Sequence, residues 1–309
     1  MFFDLKPSVR SVLAALFAVA ITSAWGLAAE PLPSSAFAYD TGAALQLVYG
    51  NATVRQGVRV TPVSFRSQSR TITGELIVPA VQTRAHSPGV LFVHWLGDPK
   101  TTNHTEFEPA ATTLAKRGAT CLLVDAMWST AANPGRDWFD QVRNTSTDYA
   151  ASIAQVIDLR RSLDVLLSQP TVDANRIAYV GHDFGAMYGA VLAGVDPRPQ
   201  FFVLIAGTTS FASWYLLGTA PPDVPAYRAQ MAPLDPLPYL HRSQARGFMF
   251  QFASRDRYIT GAQARAFFDA APYPKALFFY DAHHDLDVPW AWRDRLDWLI
   301  PRLFEPQPA

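Results

Sequence analysis

Residues 179–190 read "YVGHDFGAMYGA". An apolar run that reads as a strand enters this stretch, and a small-residue, helix-forming segment leaves it. Gly181 and Gly185 flank Asp183 at two positions on either side. A strand that turns sharply into a helix crowds those two positions and lifts the central side chain off the end of a sheet. The question the stretch raises is what chemistry a carboxylate performs there.

The rest of the chain alternates in the same way. Two strand-like stretches come first, "RVTPVSF" and "RTITGELIVPA", whose alternation suits a half-exposed antiparallel edge. Six short, nearly continuous apolar runs follow: "GVLFVHW", "ATCLLVDA", "RIAYVGH", "FFVLIAG", "GFMFQFA" and "ALFFYDA". Strands buried on both faces read this way. Helix-like segments separate most of them, including "FEPAATTLAKRG", "TDYAASIAQVIDLRRSLDVLLSQ" with Pro170 beyond it, "GAQARAFFDAA" and "WAWRDRLDWLIPRLF". The pattern predicts an α/β chain with a mostly parallel central sheet and helices on both faces. Residues 208–246 break the alternation. They are proline-rich, carry Trp214, Tyr215, Tyr227 and Tyr239, and read as a short insertion over the C-terminal edge of the sheet. Open α/β sheets bind ligands at that edge.

Composition narrows the class. The 309 residues are 49% hydrophobic and 17% charged, which supplies a large core and argues against disorder. Lysine plus arginine equal aspartate plus glutamate at 26 each, so no nucleic-acid partner is expected. At the N-terminus, Lys6 and Arg10 precede the apolar "VLAALFAVAI" and the small residues of "TSAWGLAAE". This order predicts a signal peptide, residues 1–29, cut near Ala28 or Ala29, and export to the periplasm or beyond. The apolar run is about half the roughly 20 residues of a membrane span, and an uncleaved anchor is the alternative. No stable membrane association is expected after cleavage. Residues 30–45, proline- and serine-rich at their start, read as a linker to a single domain over 46–309. Cys121, the only cysteine, lies in an apolar run and reads as inert packing.

Three strand ends carry the chemistry. Asp183 lies on the elbow, Asp256 in "FQFASRDRYIT" follows the next-to-last apolar run, and His284 in "FFYDAHHDLD" follows the last. The order of elbow residue, acid and histidine, together with the strand pattern from about residue 55 to residue 300, resembles the α/β-hydrolase fold superfamily. Within it, "VDANRIAYVGHDFGAMYGA" and the short insertion are most similar to dienelactone-hydrolase and acyl-peptidase members.

The resemblance implies roles for named positions. Asp183 occupies the nucleophile's place, where the family pattern has serine. His284 would be the base, with Asp256 fixing its tautomer. His283 competes for the base role; in the family's small-residue–Gly–His turn, "AHHD" puts His283 on the glycine. The oxyanion hole would take the backbone N–H of Phe184 and one from the loop after "VLFVHWLGD", with Leu96 the best match and Trp95 the second. The family usually has His-Gly in that loop, whereas this chain has His94-Trp95, an exchange expected to narrow the pocket or to add an indole N–H donor. His182 reads as support for the turn. The expected pocket lining is His94, Trp128, Trp214, Tyr215 and Tyr227. No metal or organic cofactor is expected, because there is no nucleotide-binding glycine loop and no helical histidine pair.

A carboxylate in the elbow changes what the site can attack. An aspartate is ionised at neutral pH, with a reference pKa of about 3.9, so attack needs no base. Attack on an ester carbonyl would give an anhydride, whose carboxylate leaves more readily than an alkoxide, and the adduct would revert. Attack on a saturated carbon bearing halide, or on an epoxide, gives an ordinary ester that His284 and water can hydrolyse. Haloalkane dehalogenases and epoxide hydrolases of this fold carry aspartate in the elbow. They also have a larger cap and commonly tryptophan after the nucleophile, where this chain has Phe184. Two alternatives stay open: Asp183 as a general base in an esterase or lactonase, and a silent binding protein on a hydrolase fold. In each case the partner is a small molecule.

Overall fold

A computed structural model describes residues 29–82, 84–97, 102–129 and 142–305. Residues 1–28 of the expected signal peptide, 1–29, lie outside them. Ten strands form one sheet among the described residues. In chain order they are β1 (Val48–Tyr49), β2 (Thr53–Arg55), β3 (Val58–Ser67), β4 (Arg70–Pro79), β5 (Ser87–Val93), β6 (Thr120–Val124), β7 (Val172–His182), β8 (Phe201–Ile205), β9 (Gly247–Ala253) and β10 (Lys275–Tyr280). The spatial order is β1-β3-β4-β6-β5-β7-β8-β9-β10, with β2 on β3. The pairs β3–β4 and β4–β6 are antiparallel, and every pair from β6 through β10 is parallel.

The apolar runs explain the division. β5, β6, β8 and β9 are buried at every residue, as strands covered on both faces must be. β3 and β4 alternate buried with exposed or half-buried positions and form the antiparallel flank. β1 and β2 are exposed throughout and extend that flank; at two and three residues they are too short to show a period in sequence.

The helices are α1 (Glu108–Lys116), α2 (Thr145–Leu167), α3 (Phe184–Val195), α4 (Phe211–Tyr215), α5 (Val224–Met231), α6 (Pro236–His241), α7 (Gly261–Ala270) and α8 (Pro289–Phe304). α2 starts where Asn144 accepts the Thr147 N–H, and α7 where Thr260 and Gln263 close a capping box. Among the described residues no helix is long and apolar enough to cross a membrane.

The segment expected as a linker is not a free connection. Residues 34–37 form a short 3-10 turn, and Phe37 is fully buried edge-on to Tyr239. Leu32 donates its N–H to the Tyr239 hydroxyl, and Arg160 donates to the Phe37 carbonyl. The proline and serine content suggested a linker, but one large apolar side chain docks the segment on the core.

Parallel strands end on one edge, which sets the site. The loops after β5, β7, β9 and β10 carry Leu96, Asp183, Asp256 and His284 respectively. α4, α5 and α6 belong to the insertion; α4 packs Trp214 and Tyr215 onto Phe184, with ring centroids 6.4 and 5.3 Å away.

Candidate active site

The elbow between β7 and α3 is held from all sides. Asp183 has φ 56° and ψ −116°, a region that costs a non-glycine residue free energy. Its N–H donates to the Ile205 carbonyl and its own carbonyl opens α3 by accepting from Met187. The two glycines are steric requirements. A Cβ on Gly181 would lie 2.3 Å from the Gly185 carbonyl oxygen, and one on Gly185 would lie 2.2 Å from the Val93 carbonyl oxygen. The elbow is thus pressed against the end of β5.

That contact places Asp183 beside the loop after β5. The carboxylate is 1% exposed. Oδ2 accepts the Leu96 backbone N–H at 3.0 Å. Oδ1 has no hydrogen-bond partner among the described residues and lies 3.9 Å from His284 Nε2, which also has none. The Phe184 N–H, at the first position of α3, has no acceptor within its own helix.

The structure brings His284 and Asp256 together. His284 Nδ1 lies 2.7 Å from Asp256 Oδ2, and Asp256 Oδ1 accepts the N–H groups of Tyr258 and Ile259. Burial alone would raise Asp256, but His284 and those two backbone donors outweigh it and hold its carboxyl below the usual range. Burial disfavours a charged His284, yet the carboxylates of Asp183 and Asp256 on either side of the ring push it up to about 9. The rings of Trp214 and Tyr258 each stand 5.3 Å from His284 and 5.9 Å from one another. His283 borders the same cavity, but its ring is exposed and meets the Arg255 carbonyl, away from both carboxylates.

A cavity of about 820 Å³ opens above Asp183. Trp95, Leu96, Trp214, Leu217 and Tyr258 supply its apolar wall, and Arg255 and Arg257 stand with His283 in the lining. Of the five expected lining residues Trp214 is there, joined by Trp95, a residue expected as a donor. Four others are not. His94 is fully buried; its Nε2 accepts the Ala126 N–H and its Nδ1 donates to the Trp95 carbonyl, and burial pushes its pKa down. Trp128 is buried against Phe184 and Tyr188 and donates its indole N–H to the Trp95 carbonyl. The Tyr215 hydroxyl meets Tyr188 and Ser152, and the Tyr227 hydroxyl donates to Asp148. Each carries a polar atom that finds a partner inside the core, so each is drawn behind the cavity wall rather than onto it.

Trp95 is also corrected as an oxyanion donor. Its N–H goes to Glu106 Oε2 at 2.7 Å, which leaves Leu96 as the donor on this loop. Sequence reasoning missed two residues of the site, Glu106 and Tyr258. Glu106 sits in a 3-10 turn, His104–Phe107, eleven residues past Trp95, and nothing local marks it. Tyr258 follows Asp256 by two; the turn is legible in "RDRY", but the direction of its ring is not. Among the described residues no group of three or more His, Cys, Asp or Glu side chains is placed to hold a metal ion.

No family model and no curated protein sequence matches the chain. Solved structures do. An acetyl xylan esterase from Paenibacillus sp. aligns with a TM-score of 0.68 at 16% identity, over 86% of this chain and 91% of that one. Acetyl xylan esterase 1 from Thermoanaerobacterium sp. aligns at 0.67 and 12%, over 89% and 96%. The acylaminoacyl peptidase of Pyrococcus horikoshii aligns at 0.63 and 14%, over 82% of this chain and 43% of that one. At these identities the likeness is one of fold, and the fold is that of the α/β-hydrolases.

Proposed function

We propose that this α/β-hydrolase fold carries a hydrolase that attacks a saturated carbon with Asp183 and passes through an Asp183 ester. The substrate is a small, mostly apolar molecule with a carbon–halogen bond or an epoxide. One observation carries the reading: Leu96 holds Asp183 Oδ2, while Oδ1 has no hydrogen-bond partner among the described residues and faces His284 Nε2 at 3.9 Å. The two oxygens of one carboxylate therefore have different work. Oδ1 is the free nucleophile. Oδ2 already sits on the donor that a developing oxyanion needs.

The sequence of steps follows. Oδ1 forms a bond to carbon, and the carbon–halogen or carbon–oxygen bond breaks with its electron pair leaving on the departing atom. Asp183 becomes a neutral ester. His284 then loses one of the two carboxylates that favour its charged form, so it releases its proton to solvent and the ring becomes a base after the nucleophile is spent. His284 takes a proton from water as that water adds to the ester carbonyl. Negative charge appears on Oδ2, where the Leu96 N–H stabilises it. Collapse expels the original Oδ1 as an alkoxide, which takes the proton from His284 and leaves as the alcohol. A water oxygen replaces it in the carboxyl group, whose proton returns to His284.

Trp214 supports this chemistry. Its Nε1 is buried without a partner among the described residues, and its ring borders the cavity beside His284. An indole N–H donates but does not give up its proton, which suits a departing halide. An epoxide oxygen needs a proton, and Tyr258 is the hydroxyl at the cavity. The tyrosine pair that an epoxide hydrolase of this fold would take from its insertion is spent elsewhere, in Tyr215, Tyr227 and Tyr239.

The acyl-ester alternative meets an obstacle. The fold neighbours include proteins named as acetyl xylan esterases, but here the Leu96 donor that an acyl oxyanion would use is occupied by the protein's own carboxylate. The N-terminal order of charge, apolar run and small residues supports export. The test is His284→Ala on a panel of haloalkanes, epoxides, lactones and short acyl esters. Attack should survive and the ester should accumulate, seen as a mass increase on the intact protein. A variant that neither turns over nor gains mass, beside an active wild type, contradicts the reading.

A further inference from the structure

We propose that Glu106 is a positioning residue that holds the oxyanion donor and the base in register with Asp183. The proposal rests on the nucleophile reading above. Both Glu106 oxygens are committed. Oε2 accepts the Trp95 N–H at 2.7 Å, and Oε1 lies 2.7 Å from His182 Nδ1. His182 is 2% exposed, and its Nε2 lies 3.0 Å from the backbone carbonyl of His284. One carboxylate thus ties together the loop after β5, the residue directly before Asp183, and the loop after β10.

The hydrogens have to be distributed in one way. A carbonyl only accepts, so His182 Nε2 carries a hydrogen toward His284. A single further proton is shared between Nδ1 and the Glu106 carboxylate. The Trp95 ring lies parallel to the His182 ring, with centroids 5.1 Å apart, and covers the pair.

The loop after β5 shows why this matters for catalysis. The Leu96 N–H belongs to the same peptide plane as the Trp95 carbonyl. That carbonyl accepts from His94 Nδ1, Thr102 Oγ1 and Trp128 Nε1. Glu106 holds the preceding peptide by the Trp95 N–H. With both planes pinned, the Leu96 N–H stays on Asp183 Oδ2. An oxyanion donor works only if it is in place before charge develops, and second-layer contacts set that place.

Two substitutions separate position from charge. In Glu106→Gln the amide oxygen can still accept from Trp95, while its NH₂ donates to Nδ1 of a neutral His182 whose Nε2–H still reaches His284. Glu106→Ala removes every strand of the brace. Glu106 is partly buried and faces the buried His182 and Arg295, so urea unfolding of both variants accompanies the kinetics to show that the fold is kept. The experiment measures kcat and KM for both variants on whichever substrate the wild type turns over, and amide hydrogen exchange at Trp95 and Leu96 without substrate. Glu106→Ala should lower kcat about 10- to 100-fold with KM within about threefold. Glu106→Gln should recover to within about threefold of wild type. Exchange at Trp95 and Leu96 should speed up in the alanine variant and stay slow in the glutamine variant. A His182→Ala change added to Glu106→Ala should cost little more, because the brace is already cut. Equal losses in the two single variants, wild-type behaviour of Glu106→Ala, or additive losses in the double variant would each overturn the proposal. The ratio between alanine and glutamine variants reports the brace whichever atom of Asp183 takes part in bond formation, so its failure is distinct from failure of the nucleophile reading.

Discussion

The Leu96 N–H donates to Asp183 Oδ2 at 3.0 Å, and this contact makes the two oxygens of the elbow carboxylate inequivalent. An acyl-transfer enzyme keeps that donor empty until its substrate's oxygen arrives. Asp183→Ser should empty it. The hydroxyl is shorter, and His284 with Asp256 would complete a serine triad on the same frame. The variant should lose turnover of halide or epoxide substrates and hydrolyse a short chromogenic acyl ester at least about 10-fold faster than wild type. Ester hydrolysis no faster than wild type would show that the donor is not what excludes esters.

The proton on His284 should be visible in stability. The folded ring holds its proton up to about pH 9, whereas an unfolded histidine releases it near 6.5. The contribution is therefore fully present below about 6.5 and is lost as pH rises through about 9. Its size is on the order of 1–3 kcal/mol. His104 behaves alike, since Asp125 and Glu75 outweigh its burial and hold it up to about 9. The useful quantity is the difference between wild type and Asp183→Asn, in which the His104 part cancels. Urea unfolding at several pH values should show wild type declining between pH 6.5 and 9 more steeply than the variant. Parallel declines would mean that Asp183 does not hold the His284 proton.

Most of this frame is legible in the sequence alone. β5 through β10 stand where the continuous apolar runs stand, because a strand covered on both faces has no polar position to hide. Asp183, Asp256 and His284 were legible because each follows a strand end in triad order. The cavity wall was not. Trp128, Tyr215 and Tyr227 are as aromatic as Trp214, and only the partner found by each polar atom decides which ring backs the site and which faces it. Glu106 was illegible for a similar reason: its meaning lies in Trp95 and His182, which only folding brings to it.

Trp214→Phe should separate catalysis from packing. Phenylalanine keeps a ring against Phe184 and Tyr258 but has no N–H. Removing a buried donor that lacks a partner costs the folded state little. Thermal unfolding should move only slightly, while kcat for a haloalkane falls about 10- to 100-fold. Unchanged kcat would remove Trp214 from the departing atom's path.

Gly185→Ala tests the elbow itself. The new methyl would stand 2.2 Å from the Val93 carbonyl oxygen, a backbone atom of a central strand that cannot move aside. Destabilisation of about 3 kcal/mol or more is expected in urea unfolding. Wild-type stability would mean that the elbow does not press on β5 as described.

The central claim is that Asp183 Oδ1 enters the product. A single turnover in ¹⁸O-water, with enzyme in excess over substrate, tests it directly. An unlabelled alcohol and one ¹⁸O in the peptide containing Asp183 are expected, because water refills the carboxylate when His284 drives ester hydrolysis. Label in the alcohol and none in the Asp183 peptide would contradict it, and would make Asp183 a base that activates water without a covalent intermediate.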